Sequence, residues 1–216
     1  MGPRTTRMHS DVLIAAHASR PATIESRGAV AARRTGRDTV HLVSAAAGPL
    51  GGDTIHLRVT VEHGARLRLC SVAAMIVLPG IDGPASHIRW SIDVAGHLEI
   101  NPQPTLVAAR ASHTSETRVR LTNSASVRIH ERVQIGRSGE REGFWSGLLH
   151  ADLDGAPLLR HRVELGTGSL ADDEIAAPRA YVGEFRYPGP CTGMAGVTLE
   201  LAGGGCLSSW QGDRLD

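Results

Sequence analysis

The sequence of 216 residues contains no lysine, so all 23 of its basic side chains are arginines. The 22 acidic residues almost cancel them and leave a formal net charge of +1. Proteins that bind nucleic acid through their overall charge carry an excess of basic residues. The balance of charge therefore predicts a protein that does not bind nucleic acid.

Long hydrophobic runs are also absent. The longest, Val72–Leu78, has seven residues, whereas a membrane-spanning helix needs about 20. Val12–Ala16 is too short for the apolar core of a signal peptide. Cysteine is scarce, and Cys70, Cys191 and Cys206 form no CxxC pair, so we expect no disulfide framework and a reducing compartment. These absences predict a cytoplasmic protein without a membrane segment.

Aromatic residues make up only 3% of the chain, so we expect a core built mostly from Val, Leu, Ile and Ala. Hydrophobic residues reach 41% and charged residues 21%, which is typical of a globular domain. The length fits one ordinary domain. We therefore expect a single domain over residues 1–216, with frayed tails at 1–10 and 211–216.

A period of two dominates the hydrophobic pattern. In Thr54–Glu62 the odd positions are Ile or Leu or Val and the even ones are polar, which indicates a half-buried strand. Only Leu170–Ala177, after Ser169 and before Pro178, suggests a helix. The sequence thus predicts a mainly β fold with very little helix, and further strands at His87–Val94, Thr117–Leu121, Val127–Ile135, Thr39–Ser44, Arg66–Cys70, Leu148–Leu153, Leu158–Leu165, Ala180–Tyr187 and Val197–Leu201.

Two strands break this alternation. Glu131 occupies an apolar position of Val127–Ile135, and His161 occupies one of Leu159–Leu165. Burying a charged group costs free energy unless the group is paired or lines a wet cavity. An internal ion pair or a solvated strand end would explain both residues. The alternative explanation is a polar site or channel inside an otherwise apolar fold.

The segment from Glu131 to Gly147 mixes charges, four glycines and two adjacent aromatics. Exposed aromatic and arginine side chains are frequent anchors of protein interfaces. The segment therefore predicts either a partner-binding surface or a plain charged hairpin, and the candidate contact residues are Arg137, Arg141, Phe144 and Trp145.

Common catalytic and metal-binding motifs are missing. The eleven histidines show no HxH or HExxH spacing, and no GxSxG elbow occurs. Gly51-Gly52-Asp53 precedes a strand, which favours a tight turn over a phosphate loop. Glu131 and Glu142 could form the carboxylate pair of a glycoside hydrolase, but the sequence does not give their separation.

Four motifs, in this order, resemble the UreD (UreH) family of urease accessory proteins. They are SAAAGPLGGD at 44–53, HGARLRLCSVAA at 63–74, LEINPQPTL at 98–106 and ERVQIGRSGEREGFWSG at 131–147. The resemblance extends from about Val40 to Arg214. The chain departs from the family where Val72 and Ile76 replace a glutamine and a lysine, and it ends without the usual C-terminal extension.

The resemblance implies an all-β, right-handed superhelix of stacked strands. It also implies a non-enzymatic scaffold that helps UreF-type and UreG-type partners to insert nickel into apo-urease, the UreG-type partner being the GTPase. Nickel would be bound only transiently. The broken alternation makes Glu131 and His161 the candidates to line a nickel path, together with Asp53 and Glu142. The predicted structural turn residues are Gly51, Gly52, Gly136 and Gly147.

Two other classes of function remain open at this point. One is an all-β carbohydrate-active or amide hydrolase that uses Glu131 and Glu142. The other is a structural interaction module with no role for a metal.

Overall fold

The computed structural model describes residues 7–81, 83, 85–173, 177–191 and 196–215. These residues contain seventeen strands and no helix. The strands are β1 (His9–Ala16), β2 (Thr23–Arg27), β3 (Val30–Arg34), β4 (Thr39–Ser44), β5 (Thr54–Val61), β6 (Arg66–Ser71), β7 (Met75–Val77), β8 (Ala85–Val94), β9 (His97–Asn101), β10 (Thr105–Val107), β11 (Ser112–Leu121), β12 (Ser126–Ile135), β13 (Phe144–Leu153), β14 (Ala156–Gly166), β15 (Ala180–Tyr187), β16 (Val197–Glu200) and β17 (Cys206–Gly212).

The strands form two sheets. The first sheet has the order β14-β13-β11-β8-β5-β1-β2. The second has ten strands, with the main order β16-β17-β15-β12-β9-β6-β4-β3 and with β10 pairing β12 and β7. From β5 to β13 the chain crosses repeatedly between the sheets, and successive strands of one sheet stack in parallel. The result is a β-solenoid of about four turns, so the expected superhelix of stacked strands is confirmed.

The core lies between the two sheets. Side chains of a strand alternate between its faces, and the parallel register aligns the inward positions into rows. One row of the first sheet contains Leu57, Trp90, Thr117, Leu149 and His161. Thr117 and His161 therefore face the second sheet from a row whose other members are apolar.

Most of the strand predictions are confirmed, and β4 and β15 have the predicted bounds. The predicted helix is wrong over residues 170–173, which form turns and bends, and residues 174–176 lie outside the described part of the chain. A local carboxylate stabilises this segment instead. Asp172 accepts hydrogen bonds from the Gly168 amide at 3.0 Å and from Arg179 Nη2 at 2.7 Å.

The predicted tails are shorter than expected. His9 and Ser10 belong to β1 because they pair with β5, and Gln211 and Gly212 belong to β17 because they pair with β15. The Leu215 amide also donates a hydrogen bond to Gln134 Oε1 at 2.9 Å. Residues 1–6 and 216 lie outside the described part of the chain.

The expectation of no disulfide is wrong. Cys191 and Cys206 form a disulfide with a Cα–Cα distance of 5.7 Å. The chain leaves β15, returns through β16 and pairs β17 with β15, which brings the two cysteines together. The cysteine pattern therefore no longer supports a reducing compartment. Within the described part of the chain, no helix could span a membrane.

Candidate functional site

A cavity of about 320 Å³ lies between the two sheets. Its walls are mainly apolar. The first sheet contributes Leu57, Ile88 and Trp90, and the second contributes Ile129 and Phe185. A few ionisable groups interrupt this lining, so their positions determine what the cavity can bind.

Glu131 lines this cavity from β12. Its neighbours at the same face, Ile129 and Val133, are buried, and its carboxylate accepts a hydrogen bond from Ser115 Oγ at 2.9 Å. Burial raises the pKa of Glu131 to about 7, and the hydrogen bond from Ser115 opposes that rise. The carboxyl group therefore exchanges its proton near neutral pH.

His161 lines the same cavity from β14 and lies opposite Leu149 of β13. Its Nε2 atom is buried and has no hydrogen-bond partner among the described residues. Burial lowers the pKa of His161 because the charged imidazolium is poorly solvated there. His161 thus presents a neutral imidazole, whose nitrogen could serve as a metal ligand, beside the cavity.

A third ionisable group of the cavity, His113 of β11, escaped the sequence prediction. It is fully buried, and its Nδ1 lies 2.9 Å from Ser86 Oγ. Burial lowers the pKa of His113 to about 3, with a smaller contribution from His87. The predicted strand began at Thr117, five residues too late, but an alternation extended back through Ser115 and His113 would have found this residue.

Glu184 of β15 also lines the cavity, but its charge is already balanced. The carboxylate is 1% exposed and accepts two hydrogen bonds from Arg128, at 3.0 and 3.1 Å. Two hydrogen bonds from one guanidinium give a strong, directional pair. We therefore assign Glu184 a structural role, in which its pair with Arg128 links β15 to β12 within the second sheet.

Asp53 lies apart from Glu131 and His161. It is buried at a turn, where its two carboxylate oxygens accept hydrogen bonds from the Met8 amide at 2.8 Å and the Leu50 amide at 2.9 Å. Gly51 and Gly52 form this turn, and Gly52 has a φ of +96°. Asp53 and its glycines thus close a turn and do not line the cavity formed by the described residues.

The loop between β12 and β13 is exposed and charged. Arg137 pairs with Glu140, and Arg141 Nη1 lies 2.7 Å from Asp213 Oδ1. Glu142 is exposed and lies outside the described lining of the cavity. The structure therefore does not bring Glu142 to Glu131, and it does not support the carboxylate pair that a hydrolase would need.

The backbone is tightly constrained where this loop begins. Gly136 has a φ of +80°, and a Cβ atom there would overlap the Glu140 carbonyl. Phe144 is the first residue of β13 and is half-buried. Together with Arg137 and Arg141, it remains available at the surface.

The prediction that Trp145 contacts a partner is wrong. Its side chain is 1% exposed and packs against Tyr181, with ring centroids 5.5 Å apart. Gly147 is not a turn residue either, because it lies within β13 and a Cβ atom there would overlap the Trp145 ring. The strand alternation buries Trp145, and the glycine provides the space for it.

A family model described as "UreD urease accessory protein" matches residues 5–206. The chain belongs to the UreD family. Urease accessory protein UreD 1 of Saccharopolyspora erythraea is 36% identical over 198 residues, which cover 88% of this chain and 78% of that protein. The UreD proteins of Frankia alni and of a Parafrankia species are 36% and 34% identical, over 77% and 81% of this chain and 62% and 71% of their own lengths.

Membership of the UreD family confirms the resemblance found in the motifs. Val72 lines the cavity and is 63% exposed, and the neighbouring Met75 and Gln103 line it too. The cavity of this UreD-family chain therefore reaches the surface beside Val72, next to the exposed Ile76.

Proposed function

We propose that this chain is a non-enzymatic scaffold of urease maturation and that nickel passes through the cavity between its sheets on the way to apo-urease. The observation that supports this most directly is the shared position of Glu131 and His161 in one cavity of a UreD-family chain. Nickel is the cargo in this proposal and is not a resident cofactor.

The chemistry of the two residues suits transient binding. Imidazole nitrogen and carboxylate oxygen are ligands that bind Ni²⁺ without the affinity of a thiolate cage. A ligand must lose its proton before it binds a metal. His161 meets this condition because burial lowers its pKa, and Glu131, with a pKa of about 7, exchanges a proton for the ion near neutral pH. Two such ligands hold an ion weakly, and the apolar side chains of the walls provide no further ligand.

The partners in this proposal are a UreF-type protein, a UreG-type GTPase and the urease apoprotein. The GTP hydrolysis belongs to the UreG-type partner. Arg137 and Arg141 of the exposed loop offer charge for such a contact, and the half-buried Phe144 at the start of β13 offers an aromatic ring. The names of the relatives, which describe urease accessory proteins, support the same pathway.

The nickel path is tested by co-expressing the full chain with the UreF-type and UreG-type partners and apo-urease. We expect a Glu131→Gln/His161→Gln double variant to lower urease activity and its nickel content at least about tenfold while the complex still co-purifies. Glu142→Gln is the matched control and should activate urease like the wild type, because Glu142 is exposed outside the cavity. Full activation by the double variant would refute the path.

The partner surface is tested by co-purification of the UreF-type protein. We expect Phe144→Ala combined with Arg141→Glu to reduce the recovered partner several-fold, since aromatic and arginine residues are frequent hot spots. Asp213→Asn is the control, because it removes the ion pair of Arg141 but keeps the arginine. Undiminished co-purification with the first variant would place the contact elsewhere on the chain.

A further inference from the structure

Three potential metal ligands meet on the exposed side of the first sheet. They are His9 and Asp11 of β1 and His56 of β5. His9 Nε2 lies 2.8 Å from Asp11 Oδ2, and His56 Nδ1 lies 3.9 Å from Asp11 Oδ1. One ligand atom from each residue lies within 4.8 Å of the other two.

The parallel pairing of β1 with β5 creates this group. Asp11 lies opposite His56 in the register, and His9 lies opposite Thr54. His9 and Asp11 are two residues apart, so they share a face, and it is the outer one because Ser10 and Val12 point into the core. The three residues therefore lie on the face of the first sheet that is turned away from the cavity.

We propose that His9, Asp11 and His56 bind one divalent first-row transition-metal ion at the surface of the chain. Two imidazoles and one carboxylate suit Ni²⁺, Co²⁺, Cu²⁺ and Zn²⁺ and disfavour Mg²⁺, which prefers oxygen ligands. The group is partly exposed, so water completes the coordination. Such an open site binds an ion and also releases it.

The surroundings of His9 orient its ring for this role. His9 Nδ1 lies 2.6 Å from Thr54 Oγ1, and a hydrogen bond at one ring nitrogen directs the other nitrogen toward a metal. Nε2 then faces the Asp11 carboxylate at 2.8 Å.

The ring of His56 is held close by as well. Its centroid lies 4.9 Å from the centroid of His9, and the two planes are nearly perpendicular, at 87°. All the backbone of this site belongs to paired strands, so the ligands are held by the sheet and not by a loop. Among the residues that the structure describes, no other group of three has suitable ligand atoms this close together.

The site is tested by calorimetric titration of the tag-free full chain with NiCl₂, in buffer with millimolar MgCl₂. A Glu131→Gln/His161→Gln background removes ligands in the cavity, so the result does not depend on the proposed nickel path. We expect one ion to bind, and we expect His9→Ala, Asp11→Asn and His56→Ala each to weaken binding at least about tenfold. Thr54→Val should weaken it less.

His97→Ala is the matched control. His97 is exposed on the second sheet and, like His9, contacts a hydroxyl side chain, that of Ser126 at 3.1 Å. We expect wild-type affinity from this variant. As a second readout, paramagnetic Ni²⁺ should broaden the ring signals of His9 and His56 in NMR spectra and leave those of His97 sharp. The proposal would be overturned if the His9→Ala/His56→Ala variant bound nickel with the same affinity as its parent. It would also be overturned if Mg²⁺ bound the site as tightly as Ni²⁺ does.

Discussion

The Ser115 hydroxyl donates a hydrogen bond to Glu131 Oε1 at 2.9 Å, and this bond joins β11 of the first sheet to β12 of the second. It therefore crosses the space in which the cavity lies. Burial raises the pKa of Glu131 to about 7, and the bond from Ser115 acts in the opposite direction because it stabilises the charged carboxylate. Ser115 thus helps to set the pH at which Glu131 becomes an anion.

The first prediction concerns Ser115→Ala. Removing the hydroxyl should raise the pKa of Glu131 further, by about one to two units, because a hydrogen bond to a charged group contributes about 1.5–3 kcal/mol. A ¹³C NMR titration of the glutamate carboxyl carbons in metal-free buffer measures this shift. Ser91→Ala is the control, since Ser91 lies in β8 outside the cavity lining. An unchanged or lower pKa in Ser115→Ala would contradict the assignment.

The second prediction concerns Gly147. A Cβ atom at this position would overlap Cη2 and Cζ2 of Trp145, whose ring is buried against Tyr181 and has little room to move. We expect Gly147→Ala to lower the free energy of unfolding by about 1–3 kcal/mol, as measured by urea denaturation. Ser146→Ala is the control and should stay within about 0.5 kcal/mol, because its buried hydroxyl has no partner among the described residues. Equal stability of the two variants would contradict this packing.

The third prediction concerns the disulfide. Cys191 and Cys206 close a segment with a sequence separation of 15, and a crosslink over about this length stabilises a domain by roughly 3 kcal/mol. We expect a Cys191→Ser/Cys206→Ser variant to unfold at lower urea concentration than the oxidised wild type. Reductant should destabilise the wild type by the same amount and have no effect on the variant. Cys70→Ser, which removes a free thiol, should leave the response to reductant intact.

The fourth prediction concerns pH and His113. Its pKa falls from 6.5 to about 3 in the folded chain, chiefly because it is buried. The unfolded chain therefore takes up a proton that the folded chain does not, and stability is lost as the pH falls through 6.5 toward 3. The loss is at most about 1.4 kcal/mol per pH unit.

Urea denaturation at pH 7.5 and at pH 5.0 measures this contribution. His113→Asn should be less stable than the wild type at pH 7.5 but should lose less stability between the two pH values. The difference isolates His113 from the many carboxylates that also titrate in this range. The same pH dependence in both proteins would mean that folding does not lower the pKa of His113.

Part of the candidate site was predictable from the sequence. Glu131 and His161 interrupt an alternating pattern, and the period of two in a strand settles which face a residue takes. The same rule applied to β13 would have predicted that Trp145 is buried. The charged residues and glycines before Phe144 concealed the strand, so its aromatic residues were predicted to lie at the surface.

Other features depended on contacts that a local pattern does not contain. Cys191 meets Cys206 only through the pairing of β15, β16 and β17. The metal-ligand group needs the register of β1 against β5, which joins His9 and Asp11 to His56 across more than forty residues of chain.

The sequence by itself determined the strand class, the family and the inward direction of Glu131 and His161, because local alternation and ordered motifs encode them. Tertiary structure alone decided which of the candidate residues share a space. It placed Glu131 with His161 between the sheets, kept Asp53 in a turn and left Glu142 in solvent. The physical reason is that the stacking register of a solenoid sets distances between turns, and no short segment of the chain specifies that register.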